Sequence, residues 1–161
     1  HVSSMIDYVC VNWNQPDAGI WEMRGEPEHF LHSRLMCWVA LDRAIHLLGE
    51  REEWRAARDA IVAEVNGPGV HPHGGYLTQS FGSDAVDASV LLAPMLGFPV
   101  DEAVFNRTVD EIMRHRSRIE MIDASGATPA KASVLLDALA MMPATSVPCA
   151  SQSDKPSPVD T

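Results

Sequence analysis

Apolar residues recur at helical spacing along most of the chain, and this periodicity restricts the fold more than any other feature. Val2, Ile6, Val9 and Trp13 follow one another at intervals of four, three and four residues, which places them on one face of a helix. Similar patterns predict further helices over residues 33–49, 50–65, 83–97, 101–116 and 128–142. The sequence therefore predicts an all-α fold.

The second and third predicted helices are expected to form a hairpin. Ser33 is a residue type that caps helix N-termini, and Gly49 is the usual residue after a helix C-terminus. The next helix begins almost at once, at about Glu50, so the two must fold back on each other as an αα-hairpin. Glycine- and proline-rich loops separate the remaining helices.

The composition changes after residue 142. Residues 143–161 are rich in Pro, Ser, Thr and Asp and poor in apolar side chains, a composition typical of disordered segments. We therefore predict one helical domain over residues 1–142 and a disordered tail over residues 143–161. The last helix of the domain is expected to begin at Thr128-Pro129, an N-cap followed by proline at the first helical position.

Charge and cysteine content restrict the partners and the compartment. The formal net charge of −10 argues against binding to nucleic acid or to an anionic membrane surface. No apolar stretch is long enough to span a bilayer, and the N-terminus does not read as a signal peptide. Three cysteines are few, and an odd number cannot all pair within the chain, so a disulfide framework is not expected. We therefore expect a reducing compartment, the cytoplasm.

The side chains best suited to catalysis lie in residues 16–25, PDAGIWEMRG, in a loop that leaves a helix. A carboxyl group beside an indole is partly desolvated, which favours its protonated form. Glu22 next to Trp21 could therefore act as a general acid, and Trp21 could offer a flat surface to a sugar ring. The alternative is structural, with Trp21 buried in the core and Glu22 paired with Arg24.

Three ordered blocks give this segment a family context. Residues 16–25 (PDAGIWEMRG), 29–43 (HFLHSRLMCWVALDR) and 78–92, which begin TQSFG and end DASVLL, resemble glycoside hydrolase family 15. That family contains bacterial glucoamylase, glucodextranase and a trehalase branch. The resemblance covers about residues 13–114, and Ser33-Arg34 departs mildly from the family's usual Ser-Lys.

The resemblance implies a fold and a mechanism. It implies that the helical hairpins form part of an (α/α)6 toroid and that terminal α-glucosidic bonds are hydrolysed with inversion. Glu22 would be the general acid, and Trp21, Asp17 and Arg24 would shape the substrate pocket. Candidate substrates are maltooligosaccharides, isomaltose-like links and trehalose. Asp17 could equally cap an Asx-type turn, and Arg24 could equally form a structural ion pair.

Two parts of the family pattern are not found in the sequence. An inverting glycosidase needs a second carboxylate as general base, and neither the family's downstream acidic motif nor its upstream Trp-x-Arg-Asp-type sugar-binding motif occurs here. We therefore expect a fragment whose isolated activity is uncertain. Because part of a toroid leaves apolar helix faces uncovered, we expect the chain to self-associate or to fold loosely.

The remaining polar residues favour structural roles. Asp87 lies early in a predicted helix and is expected to cap it, and Glu26 and Glu28 are expected to be solvated. No metal site or cofactor is expected, because the histidine pairs lack carboxylate or cysteine ligands at standard spacing; these pairs are His29 with His32 and His71 with His73. The alternatives to an enzyme are an inactive helical fragment and a helical interaction module.

Overall fold

The computed structural model describes the backbone of residues 1–124 and the side chains of residues 1–116. Its elements are α1 (Val2–Asn12), α2 (Leu31–Leu48), α3 (Glu52–Asn66), a 3₁₀-helix (Ala88–Leu92), α4 (Ala93–Leu96) and α5 (Glu102–Ala124). Within residues 1–124 extended backbone pairs only at three isolated bridges. The predicted all-α class is confirmed, and the paired helices fit a segment of an (α/α)6 toroid.

Helices α2 and α3 form the predicted hairpin around the centre of the core. The buried residues of α3 recur at intervals of three and four, from Trp54 through Ala57 and Ile61 to Val65, and they pack against the buried face of α2. Leu41 and Ile61 are fully buried. Gly49, at a φ of +95°, ends α2 as predicted, since positive φ favours glycine.

Helix α1 packs on this hairpin through three of the four residues that its periodicity predicts; the fourth, Val2, is 60% exposed at the start of the helix. Ile6 is buried, and Val9 and Trp13 pack against the same core. The Trp54 indole nitrogen donates to the Asp7 carboxylate over 2.8 Å, which fixes α1 to α3. The opposite side of α1 remains exposed.

The prediction that Ser33 caps α2 is wrong. The helix begins two residues earlier at Leu31, and its N-cap residue is Phe30. The first free N–H group is satisfied by backbone instead, because Leu31 N donates to Gln79 O over 3.0 Å and Phe30 pairs with Ser80 in an isolated bridge. Ser33 donates its hydroxyl to Asp17 over 3.0 Å.

The helix predicted from Ser83 or Asp84 is also wrong at its start. Ala85 is drawn into contact with Gln79, whose N–H donates to Ala85 O over 2.7 Å, and the backbone is extended at Asp87 (φ −130°, ψ 130°). Helical structure begins only at Ala88 and is first 3₁₀ in form. The predicted end is correct, since Gly97 adopts the left-handed conformation there.

Helix α5 is longer than predicted. It runs to Ala124 instead of ending at Arg116, and Asp101 caps its start by accepting from Val104 N over 3.0 Å. The predicted helix over residues 128–142 and the predicted tail over residues 143–161 lie outside the described residues. In residues 1–124 no helix has the length and apolar character that crossing a membrane requires.

Candidate active site

The loop between α1 and α2 is closed where its two ends meet, at Asp17 and Glu28, which we call its neck. Asp17 and Glu28 exchange two backbone hydrogen bonds of 2.9 Å each, so residues 17–28 form a compact loop whose ends are adjacent. The Asp17 carboxylate accepts from Gly19 N at 2.5 Å and from the Ser33 hydroxyl at 3.0 Å. Asp17 thus forms the Asx-type turn considered from the sequence, while its contact with substrate remains a prediction.

A buried arginine binds the chain on either side of this neck. Arg34 is 1% exposed and donates to the carbonyl oxygens of Trp13 at 2.5 Å and Gln15 at 3.1 Å. It also contacts the His29 ring nitrogen and lies 3.5 Å from Glu64. These contacts join the end of α1 to α2 and α3, and the sequence reasoning did not identify them.

The first turn of the loop requires a glycine. Gly19 has a φ of +67°, and a Cβ atom there would lie 2.9 Å from the Phe30 ring. That separation is too short for two carbon atoms in van der Waals contact. The 17–28 loop therefore depends on Gly19 for both backbone conformation and space.

Replacing Gly19 with alanine is expected to destabilise the chain by about 1–2 kcal/mol for the left-handed backbone and by about 1–3 kcal/mol more for the collision with Phe30. Urea denaturation measures the sum. Gly82→Ala is the matched control, because Gly82 also has positive φ (+75°) but nothing within 4 Å of the added carbon. Equal losses in the two variants would show that Phe30 does not restrict this turn.

Glu22 occupies the strained position of the loop. Its φ is +48°, and among the described residues it alone combines positive φ with a side chain. The conformation is held by Glu22 N donating to Gly19 O over 3.2 Å and Met23 N donating to Ala18 O over 2.8 Å. Strained non-glycine residues concentrate at functional sites; the role of Glu22 as general acid remains a prediction.

The Glu22 side chain is accessible. Glu22 and Arg24 are both exposed, and within residues 1–116 no ion pair joins them. The structural alternative, in which these two residues neutralise each other, does not describe this loop. The enclosed apolar setting expected for Glu22 is not seen either, because the side chain faces solvent.

Trp21 is held by a distant carboxylate. Its side chain is 52% exposed, so it does not fill the core as the structural alternative required. Its indole nitrogen donates to Asp87 Oδ2 over 2.6 Å, across 66 residues of sequence. The role of Trp21 as a platform for a sugar ring remains a prediction.

Asp87 makes two kinds of contact. Its Oδ1 accepts from Ser89 N over 2.8 Å at the start of the 3₁₀-helix, which confirms the predicted cap. Its Oδ2 accepts from Trp21 and also lies 3.4 Å from the Gln79 amide nitrogen. No sequence signal pointed to the second contact, because the pairing is made only by the tertiary fold.

His32 is a further titratable group near this site. It is half-buried on the first turn of α2. Burial lowers its pKa, and the nearby carboxylates of Asp87 and Asp17 partly oppose that shift. Within residues 1–116, no three His, Cys, Asp or Glu side chains are grouped so that they could hold a metal ion.

The lowered pKa of His32 predicts a pH dependence of stability. The unfolded chain takes up a proton as the pH falls through the ordinary histidine value of about 6.5, whereas the folded chain takes it up only at lower pH. The free energy of unfolding should therefore decrease as the pH falls through this window. Urea midpoints measured on both sides of pH ~6.5 should show a smaller decrease for His32→Gln. The exposed His73→Gln variant is the control, and identical slopes for His32→Gln and the wild type would refute the expectation.

Two acidic neighbours differ in their surroundings. Glu26 and Glu28 are both exposed, as expected. Glu28 nevertheless accepts from the buried Ser80 hydroxyl over 2.5 Å, which adds a second link between the loop neck and the 78–82 segment. Glu26 is therefore the better reference for an acidic side chain without such a link.

Comparison with known proteins identifies the class to which this fold and loop belong. The family model "Glycosyl hydrolases family 15" matches residues 1–125, a wider range than the resemblance predicted. The chain belongs to glycosyl hydrolase family 15.

Several relatives carry the name trehalase. The chain is 44% identical to the trehalase of Mycolicibacterium smegmatis over 115 residues, which cover 67% of this chain and 17% of that protein. It is 46% identical to the trehalase of Mycobacterium tuberculosis over 111 residues (65% and 16%). It is 34% identical to the trehalase of Thermoplasma acidophilum over 123 residues (70% and 21%).

These matches define how much of the relatives the chain represents. It spans between 16% and 21% of the length of these three proteins. No solved structure matches the chain. The family is therefore shown by sequence.

Proposed function

We propose that this chain provides the general-acid part of an active site that hydrolyses the α-glucosidic bond of trehalose with inversion. Family membership over residues 1–125 and relatives named trehalase support this substrate class. Glu22 is the proposed proton donor. Trp21, Asp17 and Arg24 are proposed to shape the pocket around the leaving sugar.

The backbone at Glu22 is the observation that carries the proposal. A glutamate in the left-handed region costs about 1–2 kcal/mol and persists only where surrounding contacts maintain it. Here the strained residue is exposed to solvent and directly follows a half-exposed tryptophan in the chain. A group that must reach the glycosidic oxygen of a bound sugar needs this accessibility.

The proposed reaction proceeds in one displacement. Glu22, protonated, transfers its proton to the glycosidic oxygen as the bond from that oxygen to the anomeric carbon breaks. A water molecule attacks the same carbon from the opposite face and loses a proton to a second carboxylate. The products are two glucose molecules, of which the one formed by attack has the β configuration.

The function is tested by measuring which glucose anomers are formed. Proton NMR during trehalose hydrolysis should show equal amounts of α- and β-glucose before mutarotation, since one unit is inverted and the other leaves as the α anomer. Maltose and dextran serve as comparison substrates for linkage preference. Early formation of α-glucose alone would refute inversion, and cleavage of maltose without trehalose would refute the substrate.

A second candidate is a helical segment that retains the family fold without catalysis. One observation favours it: the chain spans 16–21% of the length of these relatives. In addition, the motifs of the sequence do not identify a general base. Absence of glucose release from trehalose, maltose and dextran by a folded chain would favour this candidate.

The charge and the cysteines of the chain bear on its partners and its compartment. We propose a carbohydrate as the substrate and neither nucleic acid nor an anionic membrane as a partner, since the net charge is −10. We also propose a cytoplasmic location, which the free thiols of Cys10 and Cys37 support.

Self-association is proposed because one side of α1 presents apolar side chains to solvent. Met5, Tyr8 and Val11 are 68–74% exposed, and such a stripe favours contact with another apolar surface. Sedimentation velocity should show a mass that increases with protein concentration, and Met5→Lys should reduce that increase. A compact monomer at every concentration tested would rule out this surface as an interface.

A further inference from the structure

We propose that Asp87 is a positioning residue, which holds Trp21 and thereby keeps Glu22 in its strained, substrate-facing conformation. The inference rests on the proposed role of Glu22 and adds a group outside the 17–28 loop that maintains it. Three observations support it: the burial and capping bond of Asp87, its hydrogen bond with Trp21, and the few other hydrogen bonds that hold the loop tip.

Asp87 belongs to a well-packed part of the chain. Its side chain is buried and caps the 3₁₀-helix through Ser89 N. The residues that follow it, Ser89, Val90 and Ala93, are each 2% exposed. The carboxylate is therefore a fixed acceptor whose position does not depend on the loop.

The hydrogen bond from Trp21 is what fixes the indole. About half of the Trp21 side chain is exposed, so packing alone restricts the ring weakly. A donor at 2.6 Å from a carboxylate is a short, charge-assisted hydrogen bond, a type stronger than a neutral one. Because a planar peptide group joins Trp21 to Glu22, fixing Trp21 fixes the position of the Glu22 amide, from which the bond to Gly19 O is made.

Within residues 1–116, few other hydrogen bonds hold the tip of the loop. The Asp17–Glu28 bridge acts at the neck, and the bonds from Glu22 N and Met23 N return to Gly19 and Ala18 within the same loop. Since left-handed backbone at Glu22 is unfavourable, its release is expected once the Trp21–Asp87 bond is removed, the only side-chain hydrogen bond among the described residues that joins the tip to the cap of the 3₁₀-helix. We therefore expect Asp87 to control the order of Glu22.

NMR of the ¹⁵N-labelled chain tests this directly. In Asp87→Asn the Trp21 indole N–H resonance should move upfield, and the order parameter of the Glu22 amide should fall from about 0.85 to below about 0.6. Trp21→Phe should lower the Glu22 order parameter equally, while Asp87 keeps its cap on Ser89. The double variant should show no further loss, because both changes break one hydrogen bond.

The control is Asp84→Asn, an exposed aspartate of the same segment that pairs with His71; it should leave both resonances unchanged. An indole resonance that does not move in Asp87→Asn would overturn the hydrogen bond. A moved indole with an unchanged Glu22 amide, in Trp21→Phe as well, would overturn the positioning role. Both readouts are independent of catalysis, so failure of the proposed function is detected separately by trehalose hydrolysis.

Discussion

Replacing Glu22 with glutamine is expected to lower the rate of trehalose hydrolysis by about 10²–10⁴-fold, the range typical of a lost general acid. Glutamine has nearly the same shape and the same cost in the left-handed region, so the loop conformation is retained. The amide cannot supply a proton to the departing oxygen. Coupled detection of released glucose measures the rate, and urea denaturation verifies that stability is unchanged.

The matched control is Glu26→Gln in the same loop. Glu26 is an exposed carboxylate without a hydrogen-bonded partner of the kind that Glu28 has in Ser80, and its change removes the same charge. Its activity should remain at the wild-type level. If Glu22→Gln kept wild-type activity, or if Glu26→Gln lost as much, proton donation would have to be assigned elsewhere.

Replacing Arg34 with methionine is expected to destabilise the chain by about 1–3 kcal/mol for each buried acceptor that loses its hydrogen-bond donor. The guanidinium serves two carbonyl oxygens at the end of α1, the His29 ring and Glu64. Methionine fills the space but leaves the two carbonyl oxygens and the His29 ring nitrogen without this donor, whereas Glu64 is 37% exposed and water can solvate it. The free energy of unfolding from urea titration, followed by circular dichroism, measures the loss.

A pair of further variants separates charge from geometry at this position. Arg34→Lys keeps one charge but lacks the planar fork, so an intermediate loss is expected. Arg24→Met removes an exposed arginine and should change stability by less than about 0.5 kcal/mol. A loss for Arg34→Met as small as that for Arg24→Met would show that the network does not maintain the fold.

The helical hairpin could be predicted from sequence because its information is local. Trp54, Ala57 and Ile61 repeat at helical spacing, and Gly49 marks the turn. The start of α2 could not be predicted in the same way, since the cap that Ser33 would supply is replaced by the bond from Leu31 to Gln79. That acceptor lies in a distant segment, which a local pattern does not reveal.

The candidate site was predictable in part for the same reason. Glu22 and Trp21 were proposed from their adjacency and from the family resemblance, and the cap at Asp87 was expected from its place early in a predicted helix. The bond between Trp21 and Asp87, the network of Arg34 and the shifted pKa of His32 all depend on groups far apart in sequence. Nor does any residue propensity place a glutamate at positive φ, because the surrounding fold imposes it.

The most direct test of Glu22 as proton donor compares two leaving groups. Fluoride departs from α-glucosyl fluoride without prior protonation, whereas the glucose of trehalose needs a proton from the enzyme. The rates of both reactions should be measured for the wild type and for Glu22→Gln. We predict that the variant loses trehalose hydrolysis but retains hydrolysis of the fluoride; an equal loss on both substrates would contradict the assignment of Glu22 as the general acid.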